Sequence, residues 1–237
     1  MASTLATAPC PVAPGSDSGA TAIALHWGHL NVDDAEVARL ATCLAADELE
    51  HAARFRFGRD RRRFVVRRGK LRETLAATCG DRPATIRFSI GPFGKPQLAP
   101  GLPFFSTSHS GDIWAVALGD IELGVDIERI DPAIDAIGIA ATLFAPAEHA
   151  ALAALSGPAV VDAFFACWTR KEAYVKAIGQ GLSHPLTAFA VSLGAEPAFL
   201  NGGAGWRLLS PRLAPDLAVA IAVADHGGTA ELTVHRH

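Results

Sequence analysis

The segment Gly124-Val125-Asp126-Ile127-Glu128 constrains the fold more than any other stretch of the chain. Its apolar and acidic side chains alternate, and alternate side chains of a strand leave opposite faces. Val125 and Ile127 therefore need a packed layer on one side. Asp126 and Glu128 need water, a cation or hydrogen-bond donors on the other, because buried charge without compensation is costly. Two readings follow: an exposed strand edge with solvated acids, or a pair of hard oxygen ligands for a divalent cation. Oxygen ligands without Cys or His suit Mg²⁺, with Mn²⁺ possible.

Around this strand the periodicity predicts mixed α/β structure. A first strand is expected over 22–30, then helices from Asp33 or Asp34 to Ala45, over 47–57 and over 61–78. In the last, Phe64, Leu71 and Leu75 mark an apolar stripe and Gly80 supplies the stop. Ile86, Phe88 and Ile90 alternate with polar residues, which predicts a half-buried strand over 86–90. A loop follows over 91–103, then strands over 104–108, 113–118 and 123–127. The second half predicts helices over 133–144, 146–155 and 158–178, and strands near 189–193, 206–209, 217–223 and 231–234. The halves share element content without a high-identity repeat, so the boundary is placed near Gly119–Gly124. The expected units are a flexible tail (1–20), an N-terminal lobe (21–122) and a C-terminal lobe (123–237).

Composition narrows the function. At 237 residues with a net charge of −3, the chain is not a globally basic nucleic-acid coat. No apolar run approaches the roughly 18–20 residues of a spanning helix. The first 20 residues lack Lys and Arg, which argues against a secretory signal and for a cytoplasmic protein. Cys10, Cys43, Cys79 and Cys167 are scattered, so neither a zinc site nor a disulfide framework is expected.

Three further segments carry chemistry. Trp168, Glu172 and Lys176 are spaced by four and lie on one helical stripe. The Glu/Lys pair fits a surface ion pair, but the neighbouring Phe164 and Phe165 argue that this part of the helix is buried. Ser106-Thr107-Ser108-His109-Ser110-Gly111 gathers donors able to hold phosphate oxygens, and Lys95 stands on a Gly94-Lys95-Pro96 turn. Between Arg54 and Arg72 lie 10 of the 21 Lys and Arg residues, with Asp60 the only acid. Such a run is a solvated helix face or the seat of an anionic partner.

Together these segments resemble the Sfp-type 4'-phosphopantetheinyl transferases. That family pairs a G-[VI]-D-[IV]-E strand with a W-x-x-K-E-[AS]-x-x-K helix about 40 residues later, as Gly124–Glu128 and Trp168–Lys176 do here. Gly179-Gln180-Gly181-Leu182, Pro185-Leu186, Phe189, Lys95-Pro96, Ser108–Gly111 and Arg54–Arg63 extend the match over residues 22–225. The resemblance implies an α/β (α+β) fold of two similar lobes related by a pseudo-twofold axis, with coenzyme A in the cleft between them. It implies Asp126, Glu128 and Glu172 as Mg²⁺ ligands, and Glu172, Lys176 and Glu148 as catalytic groups. It implies Arg63, Lys95, Ser108, His109 and Lys176 as contacts to coenzyme A. The family element around Glu148 has Ser or Thr where this chain has Ala145. Two basic residues of some members appear as Glu48 and His51, a loss that Arg56, Arg59 or Arg62 could make good.

The implied reaction transfers 4'-phosphopantetheine from coenzyme A to a serine of an apo carrier protein, making the chain a holo-carrier-protein synthase. Partners would be acyl or peptidyl carrier domains of polyketide, nonribosomal peptide or fatty acid synthases, and the enzyme a monomer. Two alternatives remain at this stage: a Mg²⁺-dependent pyrophosphate hydrolase acting on coenzyme A or nucleotides, and a nucleic-acid-binding surface on Arg54–Arg72.

Overall fold

In a computed structural model of the chain, the described residues are 20–237. The expected tail lies outside them except for Ala20, and so does Cys10. In chain order the elements are β1 (Ala20–His29), α1 (Asp34–Ala41), α2 (Ala46–Ala53), α3 (Gly58–Cys79), β2 (Ser89–Ile90), β3 (Pro96–Gln97), β4 (Phe104–Ser110), β5 (Ile113–Gly119), β6 (Leu123–Arg129), α4 (Ala136–Leu143), α5 (Pro146–Ala153), α6 (Pro158–Ile178), β7 (Ala190–Val191), β8 (Phe199–Asn201), β9 (Trp206–Leu209), β10 (Leu217–Ala224) and β11 (Thr229–Arg236). No helix among the described residues is long and apolar enough to cross a membrane.

Two sheets organise the chain. The first runs β11-β1-β5-β4 and the second β6-β10-β9. Strand parity sorts their side chains into three apolar layers. Ile23, Leu25 and Trp27 of β1 meet Val125 and Ile127 of β6 and Val219, Ile221 and Val223 of β10 between the sheets. On the outer face of the first sheet, Trp114, Val116 and Leu118 of β5 pack under Val66, Leu71 and Leu75 of α3. On the outer face of the second, Ala220 and Ala222 of β10 pack under Phe164, Ala173 and Ala177 of α6. The result is a helix–sheet–sheet–helix stack, mixed α/β as the sequence implies.

The C-terminal strand crosses the expected boundary between the halves. β11 pairs in parallel with β1, from Ala20↔Thr229 to Trp27↔Arg236. The strand expected over 86–90 shrinks to the two-residue β2, paired with β3. Ile86 is buried, but it follows a 3-10 turn over Pro83–Thr85, and Ile90 is 68% exposed. No neighbouring strand rewards the alternation there.

One device occurs twice. Glu48 is the third residue of α2 and Glu148 the third of α5. Each carboxylate accepts the backbone N–H of the alanine before its helix, Ala45 or Ala145. Each also binds a cation from the long helix beside it: Arg72 of α3 for Glu48, and Lys171 of α6 at 2.8 Å for Glu148. Both cations then reach carbonyls in a 3-10 segment and in the residue just after it, Pro83 and Ile86 in one case, Leu186 and Phe189 in the other. The halves thus share a buried polar joint that their sequences do not advertise.

Candidate active site

The site begins with the close approach of α6 to β6. Gly124, Asp126 and Glu128 share the face of β6 turned toward α6. A Cβ at position 124 would stand 2.2 Å from the Ala173 carbonyl oxygen and 2.3 Å from the Ala177 nitrogen. Only glycine lets the strand touch the helix backbone there. Across the ladder, Ala222, Ala220 and Ala218 of β10 stand opposite Gly124, Asp126 and Glu128 and keep that face low.

Beyond the contact, the acids of β6 and one stripe of α6 open on a cavity of about 1000 Å³. Asp126, Glu128, Trp168, Glu172 and Lys176 line it together with Asp47, Glu48 and Glu50 of α2, Arg54, and Phe64, Arg67, Arg68 and Leu71 of α3. Thr107, Ser108 and His109 of β4 line it as well. The cavity therefore lies over the seam between the two sheets.

Serine hydroxyls stitch that seam. Ser106 Oγ accepts the Val125 N–H at 3.1 Å, and Ser110 Oγ accepts the Arg129 N–H at 3.1 Å. Ser108 Oγ donates to Asp126 Oδ1 at 2.8 Å, and Ser110 Oγ donates to Glu128 Oε2. The segment expected to loop after Ser108 is strand up to Ser110. Its hydroxyls are engaged with β6, and Ser108 is buried.

Lys176 Nζ donates to Asp126 Oδ1 at 2.6 Å and to Ser108 Oγ at 2.9 Å. Asp126 Oδ2 is buried and meets no donor. Glu172 is raised above the ordinary carboxylate range by burial and by the charge of Asp126, against the pull of Lys176. Glu128 is raised by burial, with Asp126 adding to it and Ser110 and Lys176 opposing. These residues are thus short of positive charge: three carboxylates face one lysine. Among the described residues no group of three or more His, Cys, Asp or Glu is gathered into a metal-holding cluster. The orphaned Oδ2 and the two raised carboxyls nevertheless fit the donor chemistry of a hard divalent cation.

His109 is pushed down to about 4, first by burial and then by the charges of Arg67, Lys176 and Arg63. The imidazole is neutral at neutral pH and can accept as well as donate. Arg63 is close enough to act on His109 but does not line the cavity.

Two residues expected at the cleft stand elsewhere. Lys95 donates to the carbonyls of Leu123 at 3.0 Å and Ala177 at 2.8 Å, tying the β2–β3 hairpin to the β6–α6 contact. It lines a smaller cleft of about 200 Å³ that shares Lys176 with the main cavity. Glu148 is fully buried in the second half, where Lys171, the Ala145 N–H and the Val191 N–H occupy both its oxygens. Its place at the third residue of α5 suits a cap, and it does not line the cavity.

The basic stretch is mostly consumed locally. Arg62 pairs with Asp34, Arg59 with Asp60, and Arg68 and Arg72 with Glu48. Arg56 lies over the ring of Phe57. Arg54 and Arg67 are the members that line the cavity without a protein partner among the described residues. Sequence reasoning did not single out Arg67. The signal was present: Arg67 is three residues after Phe64 and four before Leu71, on the same stripe.

Comparison with known proteins finds relatives that cover most of the chain. Residues 122–222 match a family described as the 4'-phosphopantetheinyl transferase superfamily. The 4'-phosphopantetheinyl transferase HetI of Nostoc sp. is 36% identical over 207 residues, covering 84% of this chain and 86% of that protein. A 4'-phosphopantetheinyl transferase of Bacillus subtilis is 33% identical, covering 69% of this chain and 78% of its own. The 4'-phosphopantetheinyl transferase Sfp of Bacillus subtilis is 32% identical, covering 65% and 69%.

Proposed function

The chain belongs to the 4'-phosphopantetheinyl transferase superfamily, and on that premise we propose how its cavity performs the transfer. Its reaction class is the transfer of phosphopantetheine from coenzyme A to carrier proteins. The hydrolase alternative finds no support among the relatives. The observation that carries the proposal is that Asp126 and Glu128 of β6 and Glu172 and Lys176 of α6 open on one cavity.

Asp126, Glu128 and Glu172 would hold Mg²⁺, with Mn²⁺ a possible substitute. When bound, the ion supplies positive charge against the diphosphate of coenzyme A. The chain's own groups do the rest. Lys176, held at Asp126 by its ion pair, offers its remaining donor capacity to a phosphate oxygen. Ser108 fixes that lysine, and His109 presents a neutral donor and acceptor to the cavity. Glu172 makes no hydrogen bond among the described residues, so an oxygen not engaged with the ion is left to act as a general base. It takes the proton of the carrier serine as the serine oxygen attacks the β-phosphorus. The bond to the leaving oxygen breaks and 3',5'-ADP departs. Catalysis here is positioning and electrostatics, with no covalent intermediate on the protein.

We propose a monomer acting in the cytoplasm on acyl or peptidyl carrier domains of polyketide, nonribosomal peptide or fatty acid synthases. The test is mass spectrometry of an apo carrier domain incubated with the enzyme, coenzyme A and Mg²⁺. A mass gain of one phosphopantetheine group on its serine supports transfer. Consumption of coenzyme A without that gain overturns it.

A further inference from the structure

Two lysines meet at the end of α6, and they are used differently. Lys176, in its last turn, faces the main cavity and reaches Asp126 and Ser108. Lys95 comes from the turn between β2 and β3 and does not line that cavity. Its ammonium donates to the carbonyl oxygens of Leu123, at 3.0 Å, and Ala177, at 2.8 Å. Both residues belong to the close approach of strand and helix. Leu123 precedes Gly124, and Ala177 follows Lys176 and supplies the nitrogen that a Cβ at position 124 would strike. The Ala177 carbonyl is among the last four of α6, which have no partner within a helix. A cation there also suits the negative end of the helix dipole. The lysine is itself held in place. Its own carbonyl accepts the Gly91 N–H at 2.8 Å, which closes the turn. Its stem lies against Gly179, the left-handed residue that ends α6: a Cβ at position 179 would stand 3.3 Å from Lys95 Cδ. Two of the three ammonium donors are thus engaged by backbone.

We infer that Lys95 is a positioning residue for the transfer reaction and acts through Lys176. By fixing the Ala177 carbonyl against that of Leu123, it sets the height and turn of the last residues of α6. It thereby sets the point at which the Lys176 ammonium meets a phosphate oxygen. This inference rests on the function proposed above and deepens it. It replaces the direct contact between Lys95 and coenzyme A that the sequence resemblance implies. The coupling is short, because Ala177 is the next residue after Lys176. The Lys176 ammonium, 2.6 Å from Asp126 and 2.9 Å from Ser108, has little slack to absorb a shift of the helix end. A positioning group displaced by about 1 Å can lose on the order of a hundredfold in rate.

The experiment compares the full-length wild type with K95M and K95R. Steady-state carrier modification gives kcat and the KM for coenzyme A, calorimetry gives the Kd of 3',5'-ADP, and urea unfolding gives stability. K95M keeps an apolar stem against Gly179 and loses the charge. Its KM and Kd should stay within about threefold of wild type while kcat falls by about tenfold to a hundredfold. K95R should recover part of kcat, because a guanidinium still offers donors to both carbonyls. A rise of about tenfold in Kd and KM with kcat kept would make Lys95 a ligand contact and overturn the assignment. Lower stability with kcat, KM and Kd all unchanged would make it a structural anchor alone and overturn it equally. A second measurement needs no variant to fold: acetylation of the wild type by acetic anhydride, mapped by peptide mass spectrometry. Lys95 should be shielded to the same degree with and without saturating 3',5'-ADP. Shielding that arises only with the nucleotide overturns the assignment. Absence of carrier modification by the wild type overturns the underlying function instead.

Discussion

Lys176 Nζ lies 2.6 Å from Asp126 Oδ1 and leaves Asp126 Oδ2 buried without a donor. The lysine answers half of the aspartate and leaves the other half for a ligand. If that ligand is Mg²⁺, binding to the folded state alone must stabilise it. Mg²⁺ at a hundredfold over its Kd should raise Tm by about 5–10 °C, from about 2.7 kcal/mol of linkage in a chain of this size. D126N should lose most of that shift. An equal shift in D126N would place the ion elsewhere.

Glu172 projects into the cavity from the same helix stripe, unbonded and raised by burial and Asp126. E172Q removes the base while keeping size and polarity. We expect coenzyme A binding within severalfold of wild type and a fall in transfer rate of about a hundredfold to ten-thousandfold. Single-turnover kinetics with calorimetry on the same samples separates the two. Unchanged turnover would remove Glu172 from proton transfer.

Gly124 sets the spacing between β6 and α6. In G124A the new methyl would meet backbone atoms of Ala173 and Ala177 at 2.2–2.3 Å, and neither can swing aside as a side chain would. The expected cost is about 3 kcal/mol or more, at the upper end of overpacking. Urea unfolding measures it. A cost below about 1 kcal/mol would mean that the strand and helix are less tightly joined.

Glu148 and Lys171 form a fully buried pair at 2.8 Å outside the cavity. E148A should destabilise by about 3–5 kcal/mol, because it strands a buried lysine. Transfer by the protein that remains folded should be near normal. A large loss of kcat with unchanged stability would return Glu148 to the catalytic set.

The β1–β11 seam responds to acid. His26 stacks on His235 at 4.5 Å between ring centroids, and its Nδ1 lies 2.9 Å from Nε2 of His237. Burial, then the charges of His235 and His237, lower His26 from 6.5 to about 4. The unfolded chain therefore binds more protons between these values, and stability falls as pH drops through that window. In H26Q the part of the decline between pH 6.5 and 4 that is due to this histidine should vanish. Denaturant midpoints at pH 7 and pH 4.5, compared between wild type and variant, read the difference.

Local signals carried much of this structure into the sequence. Helix α6 runs over Pro158–Ile178 as expected, because Pro158 suits its first turn and Gly179 ends it in the left-handed region. The stripe of Trp168, Glu172 and Lys176 follows from helical spacing, and the shared face of Asp126 and Glu128 from strand alternation. What the sequence hid depends on partners far along the chain. The parallel pairing of β11 with β1 has no local mark. Ile86, Phe88 and Ile90 alternate like a strand, but only the two-residue β2 forms there. Glu148 and Lys95 sit in segments that resemble cleft elements, yet buried backbone groups claim their side chains. In the basic run, charge alone could not tell Arg68, which Glu48 neutralises, from Arg67, which meets no such partner.

The central claim is that Asp126, Glu128 and Glu172 jointly serve one divalent cation in phosphopantetheine transfer. It is tested most directly by following carrier-protein modification by intact-protein mass spectrometry as EDTA is added and Mg²⁺ then restored, in wild type and in D126N, E128Q and E172Q. Wild type should lose modification completely and reversibly under EDTA, and each variant should lose it at any Mg²⁺ concentration near the wild-type requirement. Full modification in the presence of EDTA, or in all three variants, would contradict it.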